Sequence, residues 1–338
     1  MPFIEGDFIE TTEGMIFDVK GTVHPPEKAI AFIRYISDPS GDRQKNKQKY
    51  RKIYALSERY EFLRKNYPEY LQYDEVFDEV LSMVPLHKLF FHYKPVQKTI
   101  ELSGKTCLKE EEDQTFKFIK TLQESANVSI DKIGVTGSIL VGLSSRSSDI
   151  DVIVYGTKNC RNVHTALKCF LLKGKVIQRL PNDAIVTRYK KRCKGTDVSF
   201  DQYVFHEVRK SFQGYFMGRE FFMRYVRDYD EIKTVYGETR YTTLGYAKIK
   251  GLITDDSDAI FTPCKYMLRK AETISGKDYG PIEEIVSLRG RFSEQAKEDE
   301  EIIAQGKIER VATKGHCHNR LLLGNYTTDF MVSKSTNR

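Results

Sequence analysis

The chain has 338 residues, and its content of 40% hydrophobic and 30% charged residues is typical of a globular protein with two or three domains. The net charge of +7 favours a polyanionic partner, either a nucleoside triphosphate (NTP) or a nucleic acid. Six scattered cysteines without a Cys-x-x-Cys pair argue against a disulfide framework and against a zinc site. Because the chain shows no secretory leader pattern and no apolar run of ~18 residues, we expect a cytoplasmic protein without a membrane span.

Residues 1–100 combine strand patterns with helical patterns and are predicted to form an N-terminal α/β region. Strand-like segments run over Met15 to Lys20 and over Ile30 to Ile36. Apolar residues at helical spacing predict helices over Tyr54 to Tyr67 and over Asp74 to Ser82. The basic segment from Arg43 to Lys52 lies between the two kinds of pattern.

Residues 105–235 are predicted to form a small mixed β-sheet with helices packed on it. The predicted elements are a helix over Glu110 to Ser125, strands over Ile133 to Thr136 and Val152 to Tyr155, a helix with Val163 to Leu171 on one side and Gly174 as its C-cap, and strands over Val176 to Leu180 and Ala184 to Tyr189. This order of strands and helices indicates an α+β core.

A pair of short motifs lies where the first two strands of this core meet. Gly137-Ser138 follows the first strand, and after ten further residues Asp149-Ile150-Asp151 opens the second. Residues i and i+2 of a strand point to the same face, so the two aspartates are expected to project side by side. Neighbouring carboxylates are costly to hold together without a cation, and their hard oxygen atoms suit Mg²⁺ or Mn²⁺. The alternative is an exposed turn and a strand whose aspartates face water.

This arrangement resembles the signature of the DNA polymerase β-type nucleotidyltransferase superfamily, and it is most similar to the minimal nucleotidyltransferases. Gly142 in the middle of the spacer and Ser148 before the first aspartate match that pattern. The spacer departs from it, because Ile139 to Val141 stand where those proteins usually carry arginines, and Arg146 is the only arginine of the spacer. The contact with the triphosphate is therefore expected to differ from theirs or to come from elsewhere in the chain. The overall layout also resembles that of uncharacterised archaeal nucleotidyltransferase-domain proteins.

The resemblance implies a metal-dependent enzyme that transfers a nucleoside monophosphate from an NTP to an acceptor hydroxyl. Asp149 and Asp151 would hold two Mg²⁺ (or Mn²⁺) ions, and Gly137, Ser138 and Ser148 would bind the nucleotide.

A third carboxylate usually completes such a site. The favoured candidate is Asp197, placed as the second arm of a hairpin after the strand Ala184 to Tyr189. Its rival Asp201 fits better in the first turn of a helix, because Ser199-x-x-Gln202 is a capping-box pattern. Glu220 and Asp230 are weaker candidates.

Residues 240–326 are predicted to form a small β-rich C-terminal domain, with a barrel as one option, and residues 327–338 to be a disordered tail. The acceptor stays open among RNA, a protein hydroxyl and a small molecule, and the positive charge favours RNA. Basic clusters at Arg188 to Lys194 and from Arg209 to Arg224 are candidate phosphate or RNA contacts, with a solvated surface as the alternative. A catalytically inactive nucleotide- or RNA-binding module on the same fold is the competing functional interpretation.

Overall fold

The computed structural model describes residues 3–333 and shows an α+β fold, as the sequence predicts. Within these residues there are three β-sheets and seven α-helices. The chain divides into two compact units, the first formed by residues 3–74, 79–177 and 214–236, the second by residues 75–78, 178–213 and 237–333. The three sheets follow one another along the chain, but the division into three domains stays a prediction.

The N-terminal sheet is built from eight short strands of the first unit. They are β1 (Phe8–Thr11), β2 (Ile16–Val19), β3 (Lys28–Ser37), β4 (Arg43–Lys45), β5 (Gln48–Lys52), β6 (Leu71–Asp74), β7 (Glu79–Pro85) and β8 (Leu89–Tyr93), with the helices α1 (Leu56–Asn66) and α2 (Pro95–Gly104). The strand order is β4-β5-β3-β2-β1-β8, and β7 pairs with β3 and with β6. Ala29, Ala31 and Ile33 alternate along β3 towards a core of apolar side chains.

The helix predicted over Tyr54 to Tyr67 is present as α1, but the one predicted over Asp74 to Ser82 is wrong. Val76, Val80 and Met83 fall at helical spacing, yet the chain turns here and returns as β7. Asp78 adopts a positive φ of 50° in this turn, which Asp tolerates better than most residues. The turn at Asp78 therefore prevents the helix that the spacing of the apolar residues predicts.

The second sheet carries the paired motifs. Its elements are α3 (Glu110–Ala126), β9 (Ile133–Val135), α4 (Gly137–Leu140), β10 (Ile150–Tyr155), α5 (Thr157–Lys173), β11 (Ile177–Gln178), β12 (Gln213–Phe216) and β13 (Arg219–Val226). The strand order is β11-β12-β13-β10-β9, so β10 lies between the parallel β13 and the antiparallel β9. Phe118 of α3 and Leu167 of α5 are fully buried, and Gly174 ends α5 in the left-handed conformation, as predicted.

The second unit contains a β-barrel and two helices. Its elements are α6 (Asn182–Arg192), α7 (Phe200–Glu207), β14 (Arg240–Asp255), β15 (Cys264–Gly276), β16 (Ile282–Ser287), β17 (Glu301–Thr313), β18 (His316–Leu323) and β19 (Phe330–Ser333). The order β14-β15-β16-β18-β17 closes on itself because β14 also pairs with β17. Tyr266, Ile285 and Leu321 fill the interior of this five-stranded barrel. The C-terminal region is thus β-rich, as predicted.

Two local predictions in this unit are wrong. The strand expected over Ala184 to Tyr189 is helix α6, which has Asp183 in its first turn and three basic residues in its last turn, a distribution that suits the helix dipole. Part of the expected disordered tail is β19, whose apolar residues Phe330 to Val332 are buried and pair with β17. Residues 334–338 lie outside the described part of the chain.

Candidate active site

Gly137 and Asp151 are in direct contact, so the two halves of the motif meet in space. β9 and β10 pair antiparallel, and the backbone N–H of Thr136 donates to the carbonyl of Asp151 at 2.9 Å. Gly137 then turns into α4 with a φ of +67°. A Cβ atom added to it would lie 2.1 Å from Oδ2 and 2.8 Å from Cγ of Asp151. Only glycine fits this position, because it needs both the left-handed conformation and the missing side chain.

The two aspartates of the motif differ in exposure. Asp149 stands immediately before β10 and is exposed, whereas Asp151 is the second residue of β10 and is half-buried. Burial raises the pKa of Asp151, and the charges of Lys52, Arg224 and Arg34 offset this rise only in part. The carboxylate is therefore under-compensated, and a bound cation would stabilise its ionised form.

Ser148 braces the loop between the two motif halves. Its buried hydroxyl accepts hydrogen bonds from Nη1 of Arg43 at 3.0 Å and from the backbone N–H of Ser145 at 2.9 Å. Nη1 of Arg43 also donates to the carbonyl of Leu143 at 3.2 Å. Ser138 is buried within α4. The nucleotide-binding roles of Ser138 and Ser148 stay predictions, and the bracing role of Ser148 is what these contacts establish.

Arg219 fixes the same loop from the neighbouring strand. Its Nη1 donates to the carbonyls of Arg146 at 2.6 Å and Ser148 at 2.8 Å, directly before Asp149. The sequence placed Arg219 among candidate phosphate or RNA contacts. The hydrogen bonds of Arg219 instead fix the position of the chain directly before β10.

The N-terminal region contributes charged residues that sequence reasoning missed, and among them Glu5 pairs with Arg224, which the sequence indicated only as a candidate phosphate or RNA contact. Arg224 of β13 pairs with Glu5 at 2.7 Å, and Lys20 pairs with Glu5 at 3.1 Å and with Asp18 at 2.8 Å. Burial alone would lower the pKa of Arg224, but the negative charges of Glu5, Asp18 and Asp151 together have a larger effect, so the pKa is raised. Residues far apart in the chain thus surround Asp151, and no local sequence pattern could have indicated them.

Asp197 lies in the second unit, in the turn between α6 and α7. Its side chain is 72% exposed and pairs with Nζ of Lys248 at 2.7 Å. The hairpin on which its prediction depended is absent, because α6 replaces the expected strand. Its role as the third carboxylate therefore stays a prediction without that support.

The other carboxylate candidates are placed more clearly. Asp201 lies in the first turn of α7, where Ser199 and Gln202 form the predicted capping box. Glu220 lies on β13, directly before Phe221, which pairs with Ile150 of β10. The sheet register therefore makes Glu220 a candidate that can be tested by substitution.

Within residues 3–333, no three His, Cys, Asp or Glu side chains are grouped closely enough to hold a metal ion by themselves. Two carboxylates still fit Mg²⁺, which usually keeps several waters and shares its shell with substrate phosphates. Asp149 and Asp151 are the residues that would hold it, and because burial raises the pKa of Asp151, a bound cation would stabilise its ionised form.

Comparison with known proteins identifies one long match. The chain is 32% identical over 327 residues to the "Uncharacterized protein MJ1086" of Methanocaldococcus jannaschii, and the match covers 94% of each chain. No family model matches the chain, and no solved structure matches it. None of the helices in residues 3–333 has the length and apolar character needed to cross a membrane.

Proposed function

We propose that this chain, which belongs to the same family as the M. jannaschii protein, is a metal-dependent nucleotidyltransferase. It would move a nucleoside monophosphate from an NTP to an acceptor hydroxyl and release pyrophosphate. One observation carries the proposal: the Gly137 turn packs against the Asp151 carboxylate so closely that no side chain fits between them. An ordinary turn followed by a solvated strand would not require this contact.

Each residue of the site has a role that follows from its position. Asp149 and Asp151 would hold Mg²⁺ or Mn²⁺, which when bound neutralises the triphosphate and aligns it for attack. Gly137 leaves space beside Asp151 and lets a phosphate approach the backbone. The third carboxylate is Asp197 by the sequence argument or Glu220 by the sheet register, and these two candidates can be separated by substitution.

We further propose that the enzyme acts in the cytoplasm and that its acceptor is RNA. The net charge of +7 supports a polyanionic acceptor. The five-stranded barrel of the second unit supports it as well, because five-stranded β-barrels are a known scaffold for oligonucleotide binding. A protein hydroxyl and a small molecule are the other acceptor classes, and the assay includes them.

The test is incubation of the full chain with Mg²⁺ or Mn²⁺ and each α-³²P-labelled NTP. Cellular RNA, cell-extract protein and no acceptor are tried in parallel. The Asp149→Asn/Asp151→Asn variant should lose all label transfer, while Asp131→Asn, an exposed aspartate of the same unit, should retain it. If NTP binds but no lane shows transfer, the chain is the inactive nucleotide-binding module and the enzyme proposal is overturned.

A further inference from the structure

Two basic side chains of the N-terminal sheet have no ion-pair partner among residues 3–333. Arg34 of β3 and Lys52 of β5 are both half-buried, and neither has a carboxylate oxygen within 4.0 Å. Both lie by the ring of Tyr54, with Nζ of Lys52 at 5.0 Å and Cζ of Arg34 at 5.9 Å from its centroid. Like charges are thus held near each other without direct neutralisation, which is costly unless an anion joins them.

Arg34 and Lys52 interact electrostatically with the motif aspartates. Burial and then the charge of Arg34 lower the pKa of Lys52 to about 8, and Asp151 and Asp149 only partly counteract them. Burial raises the pKa of Asp151, and the charges of Lys52 and Arg34 in turn favour a lower pKa of this carboxylate. Neither cation has a carboxylate oxygen of residues 3–333 within 4.0 Å, so they act on the aspartates without forming a salt bridge.

The apolar spacer explains how these strands come to the site. Leu140 and Val141 stand where related motifs carry arginine, and they are buried in one cluster with Tyr35 of β3 and Tyr50 of β5. Tyr35 also pairs with Lys52 in the β3–β5 register. The spacer therefore carries apolar residues in place of arginines, and these residues pack against β3 and β5, the two strands that carry Arg34 and Lys52.

Other basic residues around the motif are already engaged. Arg43 and Arg219 bond the spacer loop, while Lys20 and Arg224 pair with Glu5. Arg146 of the spacer is exposed, whereas Arg34 and Lys52 are half-buried and have no ion-pair partner among residues 3–333, so they are the partly desolvated cations able to accept a new anion.

From this geometry we infer that Arg34 and Lys52 bind the triphosphate of the NTP and replace the missing spacer arginines. The inference rests on the proposed function for the identity of its ligand. Asp149 and Asp151 would hold the metal ion, and Arg34 and Lys52 would bind phosphate oxygens directly. Charge-assisted bonds to phosphate are the strong class of hydrogen bond, which suits both Arg and Lys.

The inference is tested by calorimetric titration of the full chain with inorganic tripolyphosphate without metal, and with each NTP in the presence of Mg²⁺. Arg34→Gln and Lys52→Gln should each weaken binding about tenfold, and the double variant about a hundredfold. Lys49→Gln is the matched control, because Lys49 is exposed on the same strand and three residues away, on the opposite face. Its affinity should equal that of the wild type.

The outcomes separate this inference from the proposed function. If the Arg34 and Lys52 variants bind both probes like the wild type while label transfer still depends on Asp149 and Asp151, the inference is overturned and the enzyme stands. If tripolyphosphate binding depends on Arg34 and Lys52 but no NTP is turned over, the polyphosphate site stands and the enzyme proposal fails. Wild-type chain that binds no tripolyphosphate overturns the inference. Unchanged thermal unfolding of the variants excludes misfolding as the cause of lost binding.

Discussion

Gly137→Ala is expected to destabilise the protein and to inactivate it, because the added methyl group meets the Asp151 carboxylate. Two costs add at this position. Placing alanine at a φ of +67° costs about 1–2 kcal/mol. The Cβ atom, 2.1 Å from Oδ2 and 2.8 Å from Cγ of Asp151, forces the whole side chain to shift, at about 1–3 kcal/mol. The free energy of unfolding should therefore fall by about 2–5 kcal/mol.

Gly174→Ala supplies the matched control for the backbone cost. Gly174 has a similar φ of +62°, but nothing lies within 4 Å of the position of its Cβ. Its substitution should cost only the conformational part, about 1–2 kcal/mol, and should leave activity intact. Urea denaturation of both variants measures the difference, which isolates the clash with Asp151. Equal destabilisation of the two variants, or an active Gly137→Ala protein, would refute the contact on which the site depends.

Three further outcomes are expected. The double variant Asp149→Asn/Asp151→Asn should abolish transfer. It should also raise the melting temperature of the metal-free protein, because it removes the carboxylate of Asp151, whose charge is only partly compensated. A clear loss of stability would show that these aspartates are structural. Arg219→Gln should cost about 1–3 kcal/mol in urea denaturation, because it removes two bonds to loop carbonyls; wild-type stability would contradict the bracing role. Burial, with the charges of Lys210 and Arg209, lowers the pKa of His206 from 6.5 to about 3, so its neutral form is favoured on folding. Its stabilisation is complete above pH 6.5 and is lost as the pH falls towards 3, at about 1.4 kcal/mol per pH unit; His206→Gln should flatten this part of the stability curve, and an unchanged curve would contradict the assignment.

Local elements of the motif region could be predicted from the sequence because each has a short-range cause. The strands β9 and β10 are contiguous apolar runs on either side of the Gly137 turn, and α5 ends where a glycine adopts the left-handed conformation. The prediction failed at Ala184 to Tyr189, where a strand was expected and helix α6 is present. There Asp183 in the first turn and basic residues in the last turn favour a helix, of which only Ile185 is buried.

The charged surroundings of Asp151 could not be predicted, because they come from residues about seventy or more positions away from it along the chain. Leu140 and Val141 pack on the N-terminal sheet, in one cluster with Tyr35 and Tyr50 of the strands that carry Arg34 and Lys52. The basic segment ending at Lys52 was visible in the sequence, but nothing local linked it to the aspartates. The strand on which the Asp197 prediction depended is helix α6, so the identity of the third carboxylate stays a prediction.

The most direct test of the central claim is transfer of label from α-³²P NTP by the full chain, compared with its Asp149→Asn/Asp151→Asn variant. Metal-dependent label on one acceptor class is expected with the wild type and none with the variant, while Asp131→Asn should behave like the wild type. Label transfer that persists in the double variant, or its absence from the wild type with every NTP and acceptor, would contradict the assignment of this site as a nucleotidyltransferase centre.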